Sequence, residues 1–66
     1  MEDISHIQVE LLIGQGKDFY SRGDFGAAIN CFNEALRIDP SLTEAREWLT
    51  TIDEILAFRH KDYYNP

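Results

Sequence analysis

Cys31 stands alone, so no internal disulfide can staple the chain. Basic residues are scarce as well: six lysines and arginines face twelve aspartates and glutamates, a formal net charge of −6. A surface of that sign repels phosphate, which argues against nucleic acid and anionic membrane surfaces as partners. No apolar run is long enough to span a bilayer, and no basic leader with a small-residue cleavage site is present. These absences lead to the expectation of a cytoplasmic protein. In such a compartment an unpaired cysteine on a helix reads as a small buried hydrophobe and not as a nucleophile. The length of 66 residues bounds the answer to one domain, 1–66. A core of that size supplies only about 3–5 kcal/mol by itself. With no covalent staple, further stabilisation has to come from neighbours.

What is present is helical. Ser5-His6-Ile7-Gln8 has the spacing of a capping box, with Ile4 and Val9 as the hydrophobic staple across it. The spacing predicts a first helix over 6–22, closed by Gly23 as a left-handed cap. Its seam toward a second helix is Leu12, Gly16 and Phe19, flanked by Ile13, Lys17 and Tyr20. Ile4, Ile7 and Leu11 project elsewhere at helical spacing, to be covered either by a third helix of the same chain or by a second protein. Gly14 and Gly16 each cost a helix about 1 kcal/mol relative to Ala; close helix approach accounts for Gly16 and leaves Gly14 without a role.

Asp24 is the expected N-cap of a second helix over 25–38. Ala28, Phe32 and Ala35 fall on one of its faces, with Ile29, Cys31 and Leu36 beside them and Asn30, Asn33, Glu34 and Arg37 toward water. Asp39-Pro40 ends it, because a residue before proline is pushed out of the helical region. Ser41 and Glu44 form another capping box, predicting a third helix over 42–60. Its main face is Leu42, Ala45, Leu49, Ile52 and Leu56, widened by Trp48, Ile55 and Phe58. Arg59, His60 and Lys61 suit a helix C-terminus; a short tail, 61–66, is expected after it, with Tyr63-Tyr64-Asn65-Pro66 non-helical. The fold class is therefore all-α, a helical hairpin followed by a third, capping helix.

Catalytic chemistry finds no support in the spacing. No Ser/His/Asp or Cys/His arrangement emerges, His6 and His60 sit near opposite ends of different helices, and neither a metal nor a cofactor is expected. Leu11 to Lys17 superficially suggests a strand entering a phosphate loop. That motif requires Ser or Thr after its lysine, and Asp18 stands there. Glu44, Glu47, Asp53 and Glu54 read as the solvated face of the third helix.

Taken together, Leu12, Gly16, Phe19, Ala28, Phe32, Ala35 and Pro40 resemble the tetratricopeptide repeat. That signature runs W-x2-L-G-x2-Y, A-x3-F, P over about 34 residues. Leu12 takes the place of Trp, Phe19 of Tyr, and Gln15 departs from the usual Leu. The third helix corresponds to the start of a second repeat, with Leu49 in register, but no Gly-Asp-aromatic turn follows Ile52. The resemblance implies a non-enzymatic protein–protein interaction module or scaffold with a protein or peptide partner. It places the binding groove at Ile13, Lys17, Tyr20, Glu44, Glu47, Trp48 and Thr51, a surface suited to an apolar or basic segment. It disfavours the family's chaperone-tail carboxylate clamp, because Ile13, Lys17 and Trp48 stand at or near positions where the clamp carries Lys and Asn. Since repeat units usually need at least three copies to hold a continuous core, a single one is expected to complete itself by docking on a partner or as a homodimer. The residues expected to carry self-association are Ile4, Ile7, Leu11, Trp48, Ile55, Phe58, Tyr63 and Tyr64. The alternative is a structural piece of a longer helical repeat protein with no binding site of its own; against it, Met1 with the Ser5 cap looks like a beginning, and the abandoned turn after Ile52 like an end.

Overall fold

A computed structural model of the chain describes the backbone of residues 4–64 and the side chains of residues 4–58. Three helices and no strand occur among the described residues: α1 (Ile4–Ser21), α2 (Phe25–Ile38) and α3 (Thr43–Tyr64). The turn between α1 and α2 is short because one glycine and one aspartate serve both helix ends. Gly23 takes φ +82°, a left-handed conformation that costs other residues a Cβ clash. Its N–H donates to the Tyr20 carbonyl at 3.0 Å and the Asp24 N–H donates to the Phe19 carbonyl at 2.9 Å, the paired bonds of a Schellman closure. Asp24 then caps α2, its carboxylate accepting from the Ala27 N–H at 3.3 Å.

The second connection departs from expectation. Asp39 is extended, as a residue before proline should be. Its carboxylate accepts from both the N–H and the hydroxyl of Ser41, at 3.2 and 2.7 Å. The Ser41 hydroxyl is thereby engaged in the turn and does not box with Glu44, and α3 begins at Thr43. The Arg46 guanidinium donates to the Pro40 carbonyl at 2.7 Å and ties the first turn of α3 to the loop. At the other end, α1 is already helical at Ile4, so Ser5 lies within its first turn and not before it. The expected helix end near residue 60 and the non-helical Tyr63-Tyr64 are also overturned: α3 continues through Tyr64, since neither glycine nor proline interrupts it before Pro66. Asn65 and Pro66 lie outside the described residues.

The buried core joins all three helices: Val9 and Ile13 from α1, Ala28, Phe32 and Ala35 from α2, and Ala45 and Ile52 from α3. On α2 this is the face the sequence implies. On α1 the seam is rotated, with Val9, Ile13 and Gly16 buried and Leu12 and Phe19 half-buried at its margin. α1 packs mainly on α2, and on its other flank Val9, Ile13 and Lys17 share a cleft with Leu42 and Glu44.

At Gly16 the backbone of α1 lies against the Phe32 ring of α2. A Cβ built there would lie 2.6 Å from two ring carbons of Phe32, a fully buried residue. Gly14 has nothing within 4 Å of its own hypothetical Cβ. The two glycines therefore predict opposite outcomes in urea denaturation followed by helical circular dichroism. Gly16→Ala should destabilise by about 1–3 kcal/mol through overpacking. Gly14→Ala should be neutral or stabilising by up to about 1 kcal/mol through helix propensity. Equal effects at the two positions would contradict the packing described.

Candidate functional site

Beyond the core, the surface is shaped by how α3 meets the end of α1. Trp48, half-buried on α3, lies parallel to the buried Phe32 ring, 3° between planes and 5.7 Å between centroids. Tyr20 from the last turn of α1 meets the indole edge-on at 4.9 Å and 65°. Tyr20 is itself held by Phe25 across the turn, centroids 5.6 Å apart. Each such pair adds roughly 0.5–1.5 kcal/mol beyond area burial. The consequence is a fixed aromatic wall, built from one residue before the turn, one after it and one on the third helix.

That wall borders an open cleft of about 660 Å³ lined by Tyr20, Glu44, Glu47, Trp48 and Thr51. On α3 the last four stand at i, i+3, i+4 and i+7, which places them on one face of the helix. Five of the seven residues singled out for a groove are thus brought together. Lys17 lies beside them, its ammonium 3.2 Å from a Glu44 carboxylate oxygen, with both side chains about half exposed; a pair in that setting contributes about 0–1 kcal/mol. Ile13 is not in this cleft. It is buried in the core, where the rotated seam of α1 takes it.

The residues expected to self-associate fall into separate places. Ile4, Ile7 and Leu11 are 68, 49 and 62% exposed, so α3 does not cover them. Phe58 is 72% exposed and Leu56 is also uncovered; Ile52 is the last fully buried side chain of α3 among the described residues. Ile55 is half-buried, and the side chains of Tyr63 and Tyr64 lie outside the described residues. Trp48 belongs to the cleft and the core margin, not to either apolar flank.

No three His, Cys, Asp or Glu side chains converge as metal ligands among the described residues. His6 pairs with Glu10 at 3.0 Å on the exposed side of α1, while the side chain of His60 lies outside the described residues. No helix is long and apolar enough to cross a membrane among the described residues. The Glu34 carboxylate accepts from Arg37 one turn on, which lowers its pKa and raises that of the guanidinium on an open surface. Phe32 is the participant that sequence reasoning missed. Its place on the α2 face marks it as a core residue, but nothing local announces that it also backs Trp48.

A family model described as a TPR repeat matches residues 16–49, just over half of the chain. The chain belongs to the tetratricopeptide repeat family. The matched span of this repeat holds Gly16 and Phe32, the Gly23-Asp24 turn, all of α2 and the opening of α3 through Leu49. No curated protein and no solved structure matches the chain. Tetratricopeptide repeats generally serve as protein–protein interaction modules without catalytic activity.

Cys31 is half-buried on α2. Burial pushes its thiol above the ordinary cysteine value, which leaves less thiolate at neutral pH. Iodoacetamide should therefore alkylate Cys31 in the folded protein more slowly than a cysteine in a short peptide, with the rate rising on unfolding in urea. A folded-state rate equal to or above the peptide's would identify an activated thiol instead.

Proposed function

We infer that this tetratricopeptide protein is a non-enzymatic interaction module which presents the Tyr20–Trp48 cleft to a segment of another protein and completes itself through its uncovered apolar flanks. The observation that carries the second half is the exposure of Ile4, Ile7 and Leu11 along one side of α1 and of Leu56 and Phe58 on the overhang of α3. Contiguous apolar side chains of this size mark association surfaces. One repeat plus one helix also buries less than the three or more repeats that usually sustain a continuous core. A second copy of the chain or a docked partner supplies the missing cover, and a homodimer is the simplest closed arrangement.

The cleft itself speaks against capture of a carboxylate tail. Glu44 and Glu47 line it, Lys17 is already paired with Glu44, and Ile13 is buried. The net charge of −6 likewise disfavours nucleic acid and anionic lipid. A second reading draws on the same uncovered flanks: a structural piece of a longer helical repeat, whose neighbours would cover both ends.

Sedimentation velocity over micromolar concentrations separates the two. The interaction-module reading predicts a discrete dimer, dissociated by Leu11→Glu with helix content retained, or a folded monomer that converts to a discrete complex with a partner. Open-ended, concentration-dependent aggregation favours the structural piece. A stable, well-folded monomer that binds nothing contradicts the proposed function.

A further inference from the structure

The cleft beside Trp48 is chemically one-sided. Two carboxylates, two aromatic rings and a hydroxyl line it, and none of its lining residues carries a positive charge. Lys17 answers Glu44 at 3.2 Å from the margin. Glu47 is exposed and forms no ion pair among the described residues. It stands next to an indole whose orientation is fixed by the parallel Phe32 ring and by Tyr20. The part of that indole left uncovered opens on the cleft.

A π surface attracts cations through its quadrupole, and tryptophan does so best. A carboxylate beside it adds a charge-assisted hydrogen-bond acceptor. The two together suit a guanidinium, which can lie flat on a ring while its in-plane N–H groups reach an oxygen; a compact, strongly hydrated ammonium matches this pairing less well. An apolar segment in the same place would bury Glu47 without a partner, and an acidic one would meet like charge. The field of a chain with net charge −6 also steers basic segments toward it.

We propose that the occupant of this cleft is a basic polypeptide segment that seats an arginine between the Trp48 indole and the Glu47 carboxylate. This rests on reading the cleft as a protein-binding surface and names the chemistry of what it holds.

The test is selection from a displayed library of random linear peptides on the full chain. Affinities of the selected peptides are then measured through the emission of Trp48, the single tryptophan of the sequence. Selected peptides should be enriched in arginine, and replacing the key arginine with citrulline, its neutral isostere, should weaken binding about five-fold or more. Glu47→Gln should weaken the arginine peptide more than it weakens the citrulline peptide, because only the first loses a charge pair. Glu47 is exposed, so this variant keeps its fold, as helical circular dichroism will verify. Enrichment of apolar or acidic peptides, or citrulline analogues that bind equally well, overturns the arginine site while leaving the cleft a binding surface. No enrichment over the bare support overturns both.

Discussion

The ring of Phe32 occupies the space that any side chain at position 16 would need, and this single exclusion sets the geometry around it. With no Cβ at Gly16, α1 and α2 approach until the ring lies against the α1 backbone. Ala28 and Ala35, one turn to either side on the same face and fully buried, keep the helices close along the rest of the contact. The other side of the arrangement is Trp48, parallel to Phe32. A notch made by an absent side chain thus fixes a phenyl ring, and the ring positions the indole that borders the cleft. Interiors pack too densely to absorb a displaced ring without moving its neighbours, so core and cleft are coupled through one residue.

Features governed by neighbours in sequence were legible from the residues alone. Gly23 as a left-handed cap, Asp24 as an N-cap, Asp39-Pro40 as a helix end and the Ala28-Phe32-Ala35 face all follow from spacings of a few positions. Where two local options compete, spacing is ambiguous. Ser41 could box with Glu44 or bond to the Asp39 carboxylate two residues back, and the nearer acceptor holds it. Long-range placement was less legible still. Which flank of α1 is buried is not written in local spacing, and Ile13, expected in the groove, lies in the core. Trp48 was open to either reading, core or groove, and it serves both by contacting Phe32 and lining the cleft.

Cover is unevenly distributed over the fold. Apolar surface is well hidden where three helices overlap and poorly hidden at both ends, on the outer side of α1 and on the projecting part of α3. Between those flanks, Glu44, Glu47 and Trp48 of α3 line a cleft with Tyr20 from the last turn of α1. The repeat family to which the chain belongs generally serves protein–protein interaction, and the proposed binding cleft and the uncovered apolar side chains both lie on these three helices.

The most direct measurement is the pattern of nuclear Overhauser contacts in the folded, isotopically labelled chain. The account predicts an unbroken relay from the Gly16 α protons to the Phe32 ring, and from that ring to the Trp48 indole, with the Gly16 protons shifted upfield by the ring current. Contacts from Phe32 to Gly16 without any to Trp48 would uncouple the cleft from the core, and absence of the Gly16 contacts would contradict the helical notch on which the whole arrangement depends.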